Sequence, residues 1–234
     1  MLAFGRNLYS AGLSLLFPRQ CVGCGTEGAY LCSACAARLV KLPGLTCLAC
    51  GRRRPDGRTC GACRKKLNLT GLVASLSYGD PLARELIHEL KYQRVREITT
   101  ILAHLVAGTL REFAPHLTRD AVFVPVPLHP SRLHERGFNQ AELLAASLAA
   151  TFNLPLVPAI IRTRRTKPQV ELSNPDLRRA NVAGAFALSG NARILPRVIV
   201  LVDDVATTGA TLSACARALR SAGAREVWGV VVAR

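Results

Sequence analysis

Eight cysteines between residues 21 and 63 fall into four C-x2-C pairs: Cys21/Cys24, Cys32/Cys35, Cys47/Cys50 and Cys60/Cys63. A two-residue gap turns both sulfurs of a pair toward one point about 2.3 Å away, the length of a zinc–sulfur bond. Two such knuckles complete a tetrahedral four-thiolate site, and four complete two. Gly25, Gly51 and Gly61 directly follow Cys24, Cys50 and Cys60, where a tight turn needs a small residue. A disulfide framework would require an exported protein, and the strict pairing argues against it. The even spacing also suits zinc ribbons better than an iron–sulfur cluster. Two structural Zn2+ ions are expected, in closed sites that leave no open position for substrate. Pairing in sequence order, 21/24 with 32/35 and 47/50 with 60/63, needs only short loops and is expected over a crossed arrangement.

The surrounding charge is one-sided. The chain carries 31 Lys+Arg against 15 Asp+Glu, a formal +16, and 11 of those bases but only 2 acids lie in residues 1–70. Arg52, Arg53, Arg54, Arg58, Arg64, Lys65 and Lys66 suit either nucleic-acid contact or compensation of the thiolates. The overall balance favours acidic partners, such as phosphorylated metabolites, nucleic acid or an anionic membrane face, without choosing among them. Residues 1–18 read as a short amphipathic helix with Leu8, Leu15 and Leu16 near one face and Pro18 as its stop. They lack the cationic start and cleavage site of a signal peptide. No later run reaches the roughly 18 apolar residues of a membrane span, so a cytoplasmic protein is expected.

After Tyr78 the pattern becomes one of strands alternating with helices. Helices are expected near 83–91, 97–113, 139–152 and 209–222, and strands at 121–126, 154–161, 198–202 and 227–232. That alternation implies an α/β fold with a parallel sheet covered on both faces. The expected organisation is therefore the helix at 1–18, a double zinc ribbon at 19–68 and an α/β domain at 72–234. Half of the residues are apolar, which is ample for one sizeable core. The ninth cysteine, Cys215, shares a helical face with Leu212 and Leu219 and reads as a core residue.

The most informative stretch is Val198-Ile-Val-Leu-Val-Asp-Asp-Val-Ala-Thr-Thr-Gly-Ala-Thr211. An apolar strand delivers Asp203 and Asp204 to its carboxyl end, where open α/β sheets bind ligands. The turn that follows, Ala206, Thr207, Thr208, Gly209, Ala210 and Thr211, joins hydroxyls and a flexible glycine to a helix start. Unpaired N–H groups and the helix dipole make such a turn an anion cradle. It is not a Walker A loop, because no Gly-Lys-Ser/Thr follows. Acids beside an anion cradle suit a ligand with two chemical ends, and a ribose 5-phosphate has both.

This segment resembles the phosphoribosyl-pyrophosphate signature of type I phosphoribosyltransferases. The resemblance implies that Asp203 and Asp204 hold the ribose hydroxyls at the catalytic centre while residues 206–211 bind the 5-phosphate. Val124-Pro-Val-Pro-Leu-His-Pro-Ser-Arg-Leu-His-Glu-Arg-Gly-Phe-Asn-Gln140, taken with the cysteine knuckles, resembles the ComF family, linked to DNA uptake in natural competence. Leu90-Lys-Tyr92, Arg165-Thr-Lys-Pro-Gln169 and Arg179-Ala-Asn-Val182 fit the same pattern, so the likeness runs from about residue 18 to 234. It implies a phosphoribosyltransferase-type domain preceded by the double zinc ribbon, with Mg2+ accompanying phosphoribosyl pyrophosphate. By the same analogy the loop that carries Arg132 and Arg136, with His134 facing the same pocket, receives the pyrophosphate.

Residues 162–179 hold Arg162, Arg164, Arg165, Lys167, Arg178 and Arg179 and read as a mobile basic loop. Such a loop suits a lid that brings Lys167 over pyrophosphate, or a track for a DNA backbone. Two functions of different class follow. One is a phosphoribosyltransferase (glycosyltransferase chemistry, pentosyl transfer) whose acceptor no motif reveals. The other is a non-catalytic partner of single-stranded DNA or of a DNA-uptake helicase, built on the same scaffold.

Overall fold

The computed structural model describes residues 18–64, 66–90, 95–167, 174–190 and 198–234. The expected helix at 1–18 lies outside them apart from Pro18, as do Lys65, Lys91, Tyr92, Pro168 and Gln169.

Four strands form the central sheet in the order β1-β6-β5-β2, with every neighbouring pair parallel. They are β1 Gly71–Leu76, β2 Val122–Pro125, β5 Val198–Val205 and β6 Glu226–Ala233. Strand β5 alternates between two cores: Val200 and Val202 face one, Ile199 and Leu201 the other. This is the pattern of a strand buried on both sides. Helices α3 Pro81–Glu89, α4 Val95–Phe113 and α6 Gln140–Phe152 cover the first face, through Leu86, Leu102, Leu110 and Leu144. Helix α8 Ala210–Ser221 covers the second, with Leu212, Cys215, Ala216 and Leu219 buried against the sheet. Cys215 is fully buried, as a core residue should be; burial pushes its thiol far above the ordinary range and the Asp203 charge adds to that.

The cysteine-rich segment is not a detached appendage. Residues 40–42 and 57–59 run antiparallel along the outer edge of β1, with Lys41 opposite Leu76 and Arg58 opposite Gly71. Leu42 N donates to Ser75 O at 3.0 Å, Ser77 N to Val40 O at 2.9 Å, and Leu72 N to Gly57 O at 3.1 Å. An edge strand that would otherwise expose unpaired backbone groups is thereby covered. Leu39 and Leu45 join the first core, and Leu48, Leu67 and Leu69 the second. Helices α1 Ser33–Arg38 and α2 Gly61–Arg64 are short pieces, of six and four residues, carrying Cys35 and Cys63.

Three expectations need correction. Strand β1 is absent from the expectation, because Gly71-Leu-Val-Ala-Ser-Leu76 is buried throughout without alternation, and Gly71, Ala74 and Ser75 break the run of β-branched residues that marks β5. The strand expected at 154–161 is split: Leu156 makes one parallel bridge to Phe123, then β3 Ile160–Arg162 pairs antiparallel with β4 Phe186–Leu188 in a separate two-stranded sheet. Pro155 and Pro158 deprive the first part of donors, which prevents a continuous ladder. The basic stretch expected as a loop is partly regular, since α7 Pro175–Val182 starts on an Asn174 cap whose side chain accepts from Asp176 N.

Candidate functional site

At the carboxyl ends of the parallel strands lies a cavity of about 400 Å³. Asp203, Asp204, residues 206–211, Arg132, Arg136 and Lys167 all line it, as do Tyr78, Asn139, Gln140, Arg162 and Arg178. Residues far apart in the sequence therefore meet in one place, and each element's role there has a local cause.

Strand β5 runs on through both acids, so their side chains leave opposite faces of the sheet at its end. Asp203 Oδ1 accepts from Asp204 N at 2.9 Å, and Asp204 Oδ1 accepts from Val205 N at 2.9 Å. These bonds orient each carboxylate by the backbone one residue on. The loop that follows leads into α8 at Gly209, with φ 70° and ψ 14° and no side-chain cap. The left-handed conformation favours glycine. The first-turn N–H groups of a helix lack intrahelical acceptors, and with the dipole they attract an anion. Thr208 Oγ1 reaches Ala210 N at 3.4 Å.

The opposite wall is cationic. Arg132 and Arg136 sit on α5 Pro130–Arg136, a helix where a loop was expected. It starts at Pro130 behind a His129 cap, whose side chain accepts from Ser131 N. Four residues apart on a helix, Arg132 and Arg136 share a face; His134, two residues from each, points elsewhere, is exposed, and does not line the cavity. Arg136 Nη1 donates to Gln140 Oε1 at 3.3 Å. Arg132 Nη2 reaches Thr166 O at 3.5 Å, and the hydroxyl of the same threonine accepts from Arg162. Burial, then the neighbouring Arg132 charge, draw the Arg162 guanidinium below its ordinary value, with Asp203 opposing. Arg162 and Arg178 had been read only as part of a basic stretch. Their helix and strand context, which could have singled them out, emerges only once β3 and α7 are in place.

The metal-binding cysteines form two sets, Cys21/Cys24/Cys32/Cys35 and Cys47/Cys50/Cys60/Cys63, each with all four sulfurs within 4.8 Å of one another. The pairing is sequential, as loop length suggested. Two edges, Cys24 Sγ to Cys32 Sγ and Cys50 Sγ to Cys60 Sγ, are both 3.7 Å. A tetrahedron with zinc–sulfur bonds of about 2.3 Å has edges of about 3.8 Å, so the donor set fits the ion. Electrostatics agree. The neighbouring sulfurs push Cys35 up to about 12, that of Cys24 first, and Cys63 to about 12, that of Cys60 first. Four thiols this close cannot all ionise without a cation among them. Both sites are structural and closed.

Comparison with known proteins agrees with this arrangement. The family described as "Double zinc ribbon domain" matches residues 12–72, and that described as "Phosphoribosyl transferase domain" matches residues 138–234. The fold and site thus define a double zinc ribbon joined to a phosphoribosyltransferase-type domain, whose cavity suits a sugar phosphate. The chain is 35% identical to "Competence protein F" of Haemophilus influenzae over 86% of its own length and 89% of that protein's. It is 34% identical to "DNA utilization protein YhgH" of Escherichia coli K12, covering 85% and 88%. To "Competence protein ComFC" of Bacillus subtilis it is 30% identical, covering 82% and 79%. The chain belongs to the ComF family. Among the described residues, no helix is long and apolar enough to cross a membrane.

Proposed function

We propose that the cavity binds phosphoribosyl pyrophosphate, or a sugar phosphate of the same build, in a cytoplasmic protein that serves DNA uptake and natural transformation. The observation that carries this reading is the convergence in one cavity of two acids, an uncapped helix start and a cationic wall. In this reading residues 206–211 take the 5-phosphate through backbone N–H groups and threonine hydroxyls. Asp203 and Asp204 accept hydrogen bonds from the ribose hydroxyls. Arg132, Arg136 and Lys167 face the pyrophosphate, whose charge Mg2+ shares. In pentosyl transfer the C1–O bond to pyrophosphate breaks as an acceptor's lone pair bonds to C1. The site contributes positioning and electrostatic stabilisation of the departing anion. The link to DNA uptake is supported by the names of the relatives, and the cytoplasm by zinc–thiolate chemistry, which suits a reducing compartment.

A second reading, a non-catalytic partner of single-stranded DNA or an uptake helicase, draws on the exposed Arg164, Arg165 and Arg179 beside the cavity. One experiment separates the two. Phosphoribosyl pyrophosphate with Mg2+ is titrated by calorimetry into the zinc-loaded protein and into an Asp203→Asn/Asp204→Asn double variant. The proposal expects binding that weakens tenfold or more in the variant, about 1.4 kcal/mol. No heat in either protein would overturn it, and salt-sensitive DNA binding that survives loss of both acids would establish the second reading.

A further inference from the structure

The phosphate loop and the second four-cysteine site meet at one side chain. Leu48 lies inside the Cys47/Cys50 knuckle, is only 7% exposed, and belongs to the core beneath α8. A Cβ built on Gly209 would stand 2.2 Å from Leu48 Cδ2 and 3.1 Å from Leu48 Cγ. The leucine therefore packs directly on the backbone of the residue that turns the loop into the helix. Its own position is fixed from both sides: Cys47 is fully buried, and Gly51 N donates to Cys47 O at 2.9 Å, closing the knuckle turn.

Within the loop one long hydrogen bond, from Ala210 N to Thr208 Oγ1 at 3.4 Å, helps to hold this shape. Glycine populates positive and negative φ about equally, so Gly209 has little intrinsic bias toward its φ of 70°. The helix it opens has no side-chain cap to lock the turn. Arg178 Nη1 holds the loop at Thr207 Oγ1, and at Gly209 itself the nearest side chain is Leu48. Residues at the end of the ribbon hold the rest of α8 in the same frame. Asn68 Nδ2 donates to Ser213 O and to Ser213 Oγ, both at 3.3 Å. Arg220 Nε donates to Asn68 O, and Arg220 Nη2 donates to Thr70 Oγ1 at 2.9 Å. The helix is thus fastened to the ribbon side at its start, its first turn and its end.

We propose that Leu48 is a positioning residue for the phosphate loop, so that the cysteine knuckle holding it sets how well residues 206–211 receive an anion. This rests on the reading of 206–211 as the phosphate-binding segment. It makes the ribbon a determinant of ligand affinity as well as of stability, and ties the order of the second site to that of the loop.

The test compares Leu48→Ala, Leu48→Met and Leu39→Ala in the zinc-loaded full chain. Leu39 is as buried as Leu48, at 6%, but belongs to the core on the other face of the sheet. Two quantities are read: hydrogen exchange of the backbone amides of 206–211, and calorimetric affinity for phosphoribosyl pyrophosphate with Mg2+. Leu48→Ala should speed exchange in this segment and weaken binding at least fivefold. Leu48→Met, which refills the space, should restore both, and Leu39→Ala should leave the loop protected. If Leu48→Ala does not fold, Leu48→Val gives the same comparison with a smaller cavity. Loop exchange unchanged in the Leu48 variants, or raised equally by Leu39→Ala, overturns the proposal. Selective loop opening in a protein that binds no phosphoribosyl pyrophosphate upholds the positioning role and refutes the ligand instead.

Discussion

Arg178 Nη1 donates a 2.9 Å hydrogen bond to Thr207 Oγ1, joining helix α7 to the loop that follows the paired acids. The helix is itself tied back toward β3, because Arg164 Nη2 donates to Asn181 O at 2.9 Å and to Ala183 O at 3.0 Å. A bound 5-phosphate would bring its charge to this junction, where a guanidinium bond gains strength. Arg178→Ala should therefore weaken phosphoribosyl pyrophosphate binding by roughly tenfold, in the range of a hydrogen bond to a charged group. Thermal stability should change by no more than about 0.5 kcal/mol, since the bond is exposed. Calorimetry and a thermal melt on the same samples check both. Unchanged affinity with a lowered midpoint would make Arg178 a fold element only.

The two cysteine sites should each hold one zinc, but they should not be equal in consequence. Cys47 is buried and stands beside Leu45 and Leu48, which enter opposite cores of the sheet; its counterpart Cys21 is also buried, but its neighbour Val22 is only partly buried, against one core. Thiol modification with a colorimetric zinc dye should release two ions per chain. Cys47→Ser should lower the melting midpoint by several degrees more than Cys21→Ser, because its loss disorders side chains that the larger domain shares. Equal losses would show that the ribbon's two halves support the fold alike.

What the sequence disclosed and what it hid divide along chain distance. The zinc sites and the Asp203–Thr211 segment are contiguous patterns whose chemistry depends on local spacing, and the structure brings each together as expected. Arg132 and Arg136 were legible as a pair, yet His134 was grouped with them because the helix that turns it away was read as a loop. Strand β1 was hidden because, besides being buried on both faces, it carries Gly71, Ala74 and Ser75 in place of the β-branched run that reveals β5. Its identity depends on β6 on one side and the ribbon on the other. The contact between Leu48 and Gly209 is of the same kind: neither residue's neighbours in sequence predict it.

Gly71 offers a direct measure of how tightly ribbon and sheet are joined. A Cβ there would lie 2.2 Å from Trp228 Cζ3 and 2.4 Å from the carbonyl oxygen of Gly57. The indole is fully buried and the second obstacle is backbone, so neither can move aside cheaply. Gly71→Ala should destabilise by at least about 2 kcal/mol, a fall of roughly 4–8 °C in the midpoint for a domain of this size. A melt within a degree of wild type would mean that the ribbon segment at Gly57 can be displaced from β1.

Beneath that contact, Glu226 gives the fold a predictable acid response. Its carboxylate accepts from Trp228 Nε1 at 3.1 Å and from Arg58 Nη2 at 3.2 Å, while Arg58 also lies over the Trp228 ring at 5.5 Å. Burial works to raise the carboxyl's pKa, but the indole N–H and the Arg58 charge outweigh it, so the group sits below its ordinary value of 4.5. His116, edge-on to the same indole, is held below its own ordinary value, by burial first and then by Arg58. A carboxyl with a depressed folded pKa binds its proton more readily in the unfolded chain. Its contribution is therefore complete above pH 4.5 and is lost as pH falls through the folded value. Glu226→Gln should be less stable than wild type by about 1 kcal/mol at neutral pH, since the pair is partly exposed. Urea midpoints of the two proteins, measured in parallel from neutrality downward, should keep a constant gap to about pH 5 and converge below the ordinary value. Zinc release in acid affects both chains alike, so the gap isolates Glu226. A gap that stays constant through that range would mean the Glu226 charge is not what joins the ribbon's Arg58 to the sheet.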